Sequence, residues 1–296
     1  MSILKAFKAG FGFLSVIPVG ITMEGIEALM KNLYMYSIVG FVLGAMIGIA
    51  AFIAEFVLAP LPAAIIIMLA TYGIIWFNHL DGVADMGDGM TAHGSLEKKR
   101  KALKDMALGV GGVAFVSLLM LSFYTALTVL ESVAGGIYEM NALPYMGAAS
   151  YISMAVSEAG IGTAVGKAVV AASVIALTVM IGETCGKQAM LTIATFGKSF
   201  QEGLGSMTIA GGTQRNFLIG MLFTISVSGL FLGIAGWAAL AVSTVAAFLI
   251  LKISNKHFKG LNGDGIGTAN EIGRITAIAS VALTLHIISG GMAWML

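Results

Sequence analysis

Long apolar stretches separated by short polar segments run along most of this sequence. Seven of them approach the ~20 residues that a helix needs to cross a bilayer. They cover residues 36–58, 61–78, 109–131, 168–185, 216–234, 236–253 and 276–296. The first two are separated only by the tetrapeptide APLP, which predicts a tight reversal. The pattern predicts an all-α fold, a polytopic integral membrane helical bundle of about seven transmembrane helices.

Two further segments do not match the pattern of a span. In residues 1–20, Phe7, Phe11 and Leu14 recur at helical spacing and no A-x-A cleavage site follows. These features favour an N-terminal helix lying in the membrane interface over a cleaved signal peptide. Residues 148–166 are glycine-rich and weakly apolar, so the pattern leaves open whether they cross. Because there is no charged linker and no convincing repeat, residues 1–296 are expected to form a single integral membrane domain.

The composition agrees with a membrane protein. Hydrophobic residues make up 58% of the chain and charged residues 10%, against roughly 25% charged residues in soluble domains. The net charge of +1 gives no sign of a nucleic-acid partner. Cys185 is the only cysteine, which excludes an internal disulfide and a metal site built from cysteines.

The distribution of positive charge predicts the orientation. Residues 98–104, KKRKALK, contribute five positive charges, whereas residues 132–147 contribute none. The positive-inside rule therefore places the loop 79–108 in the cytoplasm, in a multi-pass protein of the cell membrane. If residues 148–166 do not cross, the loops 186–215 and 254–275 face the same side. These loops hold most of the lysine, arginine and aspartate, so an active site is expected there.

The acidic segment HLDGVADMGDGM, residues 79–90, is the strongest candidate for chemistry. On a helix, Asp81, Asp85 and Asp88 lie within about 60° of one another because their spacing is i, i+4, i+7. Three carboxylates on one stripe repel each other unless a cation lies among them. Oxygen ligands suit Mg²⁺, Mn²⁺ or Ca²⁺, so the spacing favours a divalent-metal site over a solvated acidic loop.

Residues beside the aspartates extend the candidate site. Gly82 and Gly89 weaken a helix but allow a bulky ligand such as a phosphate to approach the backbone. His79 lies off the carboxylate face, and its role is left open between support of the site and an ordinary interfacial histidine. Lys104 is a candidate to hold a phosphate, and the alternative is that its charge serves only the orientation of the protein in the membrane. Asp105 follows Lys104 in the sequence. A metal held by aspartates beside flexible backbone and positive charge indicates phosphoryl transfer with an amphipathic substrate.

The same residues carry a resemblance to a known family. HLDGVADMGDG, followed by KDMALGVGGVAF from residue 104, resembles the signature of the cobalamin synthase family, the adenosylcobinamide-GDP ribazoletransferases. FGFLSVIPVG at 11–20, FQEGLGSM at 200–207 and KGLNGDGIGTANEIGR at 259–274 are similar to further segments of that family. In the last of these, Thr268 and Ala269 displace the family's small residue slightly.

The resemblance implies an Mg²⁺-dependent membrane enzyme of cobalamin biosynthesis. Such an enzyme joins adenosylcobinamide-GDP to α-ribazole or α-ribazole 5′-phosphate, gives adenosylcobalamin or its phosphate, and releases GMP. The ribazole hydroxyl attacks the phosphorus on the cobinamide side of the diphosphate. The implied Mg²⁺ ligands are Asp81, Asp85 and Asp88, which with Asp105 and His79 form the catalytic set. The implied substrate-binding residues are Gly82, Gly89, Lys104, Asn262, Asp264 and Glu271, although Asn-Gly-Asp-Gly is also typical of a turn. The oligomeric state stays open, a homo-oligomer included.

Two other functions compete with this interpretation. A CDP-alcohol phosphotransferase has a pattern whose first half is matched by Asp85, Asp88, Gly89 and Ala92. The second half fails, since the required arginine, glycine and two aspartates are replaced by His93, Ala102, Met106 and Val110. A transporter is expected to carry ionisable residues inside its spans, whereas Glu55 and Glu183 fall near predicted span ends.

Overall fold

The computed structural model describes residues 3–105, 107–134 and 147–289. Met106, most of the segment 132–147 and the end of the predicted span 276–296 lie outside the described residues. The described residues form twelve helices and no strand, apart from an isolated β-bridge between Ser199 and Leu261. The predicted all-α class is therefore confirmed.

The twelve helices follow one another with short connections. In chain order they are α1 (Ile3–Leu14), α2 (Met23–Lys31), α3 (Met35–Val57), α4 (Pro60–Ile75), α5 (Asn78–Thr91), α6 (Leu96–Ala102), α7 (Val110–Ala134), α8 (Ala148–Glu158), α9 (Thr163–Phe196), α10 (Leu204–Gly211), α11 (Gln214–Phe258) and α12 (Gly263–Ile288).

Helix α11 turns back on itself at Gly233, whose φ of 57° and ψ of −133° are not helical. The indole Nε1 of Trp237 donates to the carbonyl oxygen of Ile225 at 3.2 Å. Twelve residues of straight helix would separate these two positions by roughly 18 Å. Residues 214–232 and 234–258 are therefore two antiparallel arms of a helical hairpin, as the predicted spans 216–234 and 236–253 require.

Five of the described helices are long and apolar enough to cross a membrane: α3, α7, α9, α11 and α12. Helices α4 and α5 meet the same test only as a pair, and they are bent by 97° relative to each other. When the α4–α5 pair is counted as one span and α11 is divided at Gly233, the described residues give up to seven candidate spans. This number agrees with the sequence-based prediction.

The predicted boundaries are wrong for two spans and three loops, since the predicted loop 79–108 holds most of α5 and all of α6. Helix α9 extends well beyond the predicted span 168–185, and α12 begins at Gly263, long before residue 276. Much of the predicted loops 186–215 and 254–275 is therefore helical. Polar side chains lower the hydropathy there although they are buried among the helices. Helix α8 has only 11 residues, too few to cross a bilayer.

Close helix packing places α9 at the centre of the bundle. Gly40, Gly44 and Gly48 of α3 are spaced four residues apart and face α9. A Cβ atom at Gly44 would lie 2.6 Å from the carbonyl oxygen of Met180. Small residues at this spacing let two helix backbones approach closely within a membrane. Side chains of α9 are consequently buried along most of its length.

The N-terminal segment forms the predicted helix and a second one. Helix α1 buries Ala6, Ala9 and Leu14, and the Lys5 Nζ contacts Glu24 of α2 at 2.6 Å. Helix α2 has no counterpart in the sequence-based prediction. The location of α1 in the membrane interface stays a prediction.

Candidate functional site

The acidic segment is a helix that crosses the end of the bundle. After α4 the chain passes through Trp76, whose φ of 61° is unusual for a residue with a side chain. The resulting 97° bend directs α5 away from the axis of α4. All three predicted aspartates, Asp81, Asp85 and Asp88, lie on this helix.

The start of α12 packs directly on α5 because Gly82 has no side chain. A Cβ atom at Gly82 would lie 2.8 Å from the carbonyl oxygen and 3.0 Å from the Cα of Asp264. The Thr268 hydroxyl donates to the carbonyl oxygen of Gly82 at 3.1 Å. The contact places Asp264 beside the turn of α5 that carries Asp81 and Asp85.

Four carboxylates therefore interact electrostatically near the junction of α5 and α12. Burial, followed by the negative charges of Asp264, Asp81 and Asp88, raises the pKa of Asp85 to about 7. Such a shift is typical of a carboxylate crowded by others of the same charge. Asp81, Asp85 and Asp264 offer only oxygen ligands, the type that Mg²⁺ prefers.

Asp88 has a different environment from the other aspartates. Its two carboxylate oxygens accept hydrogen bonds from the backbone N–H groups of Gly109 and Gly112, each at 2.7 Å. Asp88 thus satisfies free N–H groups at the start of α7, where a negative charge is also favoured by the helix dipole. Within the described part of the chain, no three histidine, cysteine, aspartate or glutamate side chains converge on one point suited to a metal ion. The three predicted Mg²⁺ ligands share a helix, but one of them caps α7.

A surface cavity of about 520 Å³ lies beside Asp88, between α5, α6 and α7. Asp105 also lines it, together with Thr91 and Gly109. The Oδ1 atom of Asp105 accepts a hydrogen bond from the backbone N–H of Ala107 at 3.1 Å. The structure therefore brings two of the predicted catalytic carboxylates to one cavity.

Gly82 and Gly89 were predicted to let a phosphate approach the backbone, but in the structure they pack against other parts of the protein. Gly82 is covered by the backbone of Asp264, and a Cβ at Gly89 would lie 2.8 Å from the ring of Phe258 and 2.9 Å from Leu103. The space in which a phosphate was expected to approach these glycines is filled by protein. The physical reason is that a helix without side chains at these positions packs closely on its neighbours.

The Asn-Gly-Asp-Gly turn is the beginning of α12. The Oδ1 atom of Asn262 accepts from the backbone N–H of Gly265 at 3.2 Å, as an N-cap residue does. Its Nδ2 donates to Asp264 Oδ2 at 2.5 Å, which orients that carboxylate. Lys104 is exposed, and its charge interacts with that of Asp264.

Glu271 lies in helix α12 and not in a loop, so its predicted placement in the loop 254–275 is wrong. It lies two turns into α12 and is fully buried. Its Oε2 atom accepts from the Tyr72 hydroxyl at 2.8 Å and from the Arg274 guanidinium. The hydropathy pattern assigned Glu271 to a loop because it does not show that Arg274 neutralises the charge of Glu271 inside the bundle.

Glu271 belongs to a buried polar network that joins α4, α5, α9 and α12. Arg274 also donates to Glu183 Oε2 at 3.0 Å, and Lys187 Nζ donates to Glu183 Oε1 at 2.5 Å. Two positive and two negative side chains thus compensate one another away from water, as buried charges require. Glu183 lies inside a span, so the argument made from the sequence against a transporter does not hold.

Asn270 links this network to α5. Lys187 Nζ donates to Asn270 Oδ1 at 2.7 Å, and Asn270 Nδ2 faces the Nδ1 atom of the buried His79 at 3.2 Å. Sequence reasoning missed Tyr72, Lys187, Asn270 and Arg274. The available signal was the spacing of opposite charges, i, i+4 for residues 183 and 187 and i, i+3 for residues 271 and 274.

Comparisons with known proteins agree on one family. The sequence model for cobalamin-5-phosphate synthase matches residues 6–169 and 146–282. The adenosylcobinamide-GDP ribazoletransferase of Methanosarcina mazei is 46% identical over 306 residues, covering 100% of this chain and 99% of the relative. The ribazoletransferases of Methanosarcina barkeri and Methanococcoides burtonii are 44% and 40% identical, with 100% and 98% of this chain and 99% and 97% of the relatives covered. No solved structure matches the chain.

Proposed function

We propose that this chain, which belongs to the cobalamin-5-phosphate synthase family, joins adenosylcobinamide-GDP to α-ribazole or its 5′-phosphate and releases GMP in an Mg²⁺-dependent phosphoryl transfer. The chain is a transferase of cobalamin synthesis, built as a multi-pass membrane protein. The choice of acceptor, the metal and the leaving group are our proposal, supported by the arrangement of the acidic helix.

The observation that carries the proposal is the contact between α5 and α12. Gly82 allows Asp264 to lie beside the turn that holds Asp81 and Asp85. These carboxylates repel one another and supply the oxygen donors that suit Mg²⁺. We assign Mg²⁺ to Asp81, Asp85 and Asp264, because the oxygens of Asp88 already bind amides of α7. These three carboxylates do not converge on one point in the described structure, so we propose that substrate oxygens complete the ligand set. When bound, Mg²⁺ would neutralise charge on the diphosphate of the substrate.

The residues around Asp88 complete the proposed site. By holding Gly109 and Gly112, Asp88 fixes the first turn of α7 against α5 and shapes the 520 Å³ cavity. That cavity is within the size range of small-molecule sites. We place the diphosphate end of the substrate there, with Asp105 as the candidate base and the exposed Lys104 as a source of positive charge.

We further propose that this end of the bundle faces the cytoplasm. Helix α6 carries the basic run, and Arg100 ties it to the end of α11 by donating to the Phe258 carbonyl oxygen at 3.0 and 2.7 Å. The segments with most positive charge thus meet at the same end as the acidic helix. Positive charge beside membrane spans is typical of the cytoplasmic side.

The direct test uses the full-length protein in lipid nanodiscs. It is supplied with adenosylcobinamide-GDP and with α-ribazole or its 5′-phosphate, with and without Mg²⁺, and cobalamin and GMP are quantified together by mass spectrometry. We expect equimolar cobalamin and GMP only when Mg²⁺ is present. Asp85→Asn should lose both products, while Glu158→Gln, on α8, should retain them. CMP release from a CDP-alcohol, or solute uptake without nucleotide release, would refute the proposal in favour of the two rival functions.

A further inference from the structure

Exposed lysines from three separate segments of the chain meet at the end of the bundle that holds α6. They lie on α6, in the connection after α9, and at the end of α11, and we call them the basic cluster: Lys99, Lys198, Lys252, Lys256 and Lys259. None of them makes an ion pair with a carboxylate within residues 3–105, 107–134 and 147–289. Glu97, the acidic residue of α6, interacts with Ser95 and Arg100 instead.

Arg100 holds the α6 part of the cluster against α11. Its guanidinium group donates to the Phe258 carbonyl oxygen at 3.0 and 2.7 Å. Lys99 of α6 and Lys256 of α11 are consequently near each other, and the charges of both act on His257. Two segments about 150 residues apart in the sequence thus contribute positive charge to one surface.

The connection after α9 joins this surface through its backbone. The Leu261 N–H donates to the Lys198 carbonyl oxygen at 2.8 Å, and the Phe200 N–H donates to the Leu261 carbonyl oxygen at 3.2 Å. Lys198 is therefore held beside the segment that follows Lys259. Positive charges fixed this close together repel one another unless anions lie among them.

The lysines at the end of α11 continue a face of that helix that meets lipid. Residues 245, 249, 252 and 256 lie within about 60° of one another around the helix axis. Val245 and Leu249 are 59% and 54% exposed on a helix apolar enough to cross a membrane. Lys252 and Lys256 follow on the same face, about 6 Å apart along the axis. One headgroup layer of a bilayer is roughly 5–7 Å thick, so this spacing fits lysines at the depth of lipid phosphates.

We propose that the basic cluster binds the phosphate groups of anionic lipids in the leaflet at this end of the bundle. Anionic phosphates would separate the unpaired ammonium groups, and clustered lysines beside a span are suited to that contact. The positive-inside rule requires lysines on one side of the membrane, but it does not require two of them to continue a lipid-facing stripe. Lipid binding at this surface is independent of the reaction proposed above.

The test counts lipids bound to the full-length protein in a neutral detergent by native mass spectrometry. Phosphatidylglycerol and phosphatidylcholine with the same acyl chains are titrated in parallel, and we expect the phosphatidylglycerol to bind more tightly. Lys252→Gln combined with Lys256→Gln should weaken phosphatidylglycerol binding roughly 30-fold, since each lysine near an anionic surface contributes about fivefold. Lys256→Gln alone should weaken it about fivefold. Unchanged binding in both variants would overturn the proposal.

Matched variants separate this surface from net charge and from damage to the fold. Lys252→Arg combined with Lys256→Arg keeps the charge and should keep the binding. Lys8→Gln combined with Arg215→Gln removes two charges from exposed positions outside the cluster and should change the affinity less than about twofold. Equal losses in this pair and in the Lys252 and Lys256 pair would overturn the proposal. Displacement of the bound phosphatidylglycerol by an equal concentration of inorganic phosphate would also overturn it, since the surface would then bind a soluble phosphate.

Discussion

Replacing Gly82 by alanine tests whether the contact between α5 and α12 builds the site. The added methyl group would lie 2.8 Å from the backbone carbonyl oxygen of Asp264, and an ordinary contact needs about 3.4 Å. The neighbouring atoms are backbone, so no side chain can move aside. We expect α5 and α12 to separate by roughly half an ångström, which moves Asp264 away from Asp81 and Asp85.

Gly82→Ala should reduce turnover more strongly than it reduces the free energy of unfolding. Overpacking costs about 1–3 kcal/mol, while replacing a helical glycine by alanine returns about 1 kcal/mol. The net loss of stability should therefore stay below about 2 kcal/mol. A misplacement of 1 Å in a catalytic constellation can cost roughly 100-fold in rate, so we expect turnover to fall by roughly tenfold or more.

The assay compares Gly82→Ala with Gly73→Ala in nanodiscs. Gly73 lies in α4 with no atom within 4 Å of an added Cβ, so that variant should keep full turnover and gain slightly in stability. Cobalamin formation at saturating Mg²⁺ gives kcat, and thermal unfolding gives the stability. Normal turnover and normal Mg²⁺ dependence in Gly82→Ala would show that the contact does not define the site.

Three further predictions concern single side chains. Asp85→Asn should reduce turnover by at least about 100-fold while the protein still inserts in the membrane; near-normal GMP release would contradict a metal role for Asp85. Lys99→Ala should change turnover by less than about fivefold because neighbouring charges substitute for it, and a larger loss would reveal a specific phosphate contact. Arg274→Met should lower the free energy of unfolding by about 3–5 kcal/mol, since it leaves Glu183 and Glu271 buried with one positive partner fewer. An unchanged thermal midpoint in detergent would contradict this prediction.

The helical bundle was largely predictable from the sequence, whereas residues 79–108 were assigned to a loop and the structure forms α5 and α6 there. Apolar runs defined the spans, and even the hairpin at Gly233 followed from two runs too long for one crossing. The glycines of α5 were interpreted as openings for a ligand, because a sequence does not show which neighbour covers a bare backbone position. In the structure the backbone of Asp264 covers Gly82.

The buried network could not be predicted from hydropathy. A window over residues 263–275 contains Asp264, Asn270, Glu271 and Arg274, and their polarity resembles that of a loop. Pairing with Glu183 stabilises Arg274 inside the bundle, and pairing with Tyr72 stabilises Glu271. Both partners are distant in the chain. Long-range pairing, rather than local hydropathy, explains why Glu271 and Arg274 of α12 lie inside the bundle.

A titration of the nanodisc-embedded protein with Mn²⁺, followed by electron paramagnetic resonance of the free ion, tests whether a divalent cation binds between α5 and α12. We expect saturable Mn²⁺ binding, and we expect Mg²⁺ to displace the bound Mn²⁺. Asp85→Asn on α5 and Asp264→Asn on α12 should each weaken Mn²⁺ binding, whereas Glu158→Gln should leave it unchanged. Binding in both aspartate variants with the affinity of the unmodified protein would contradict a metal held between α5 and α12.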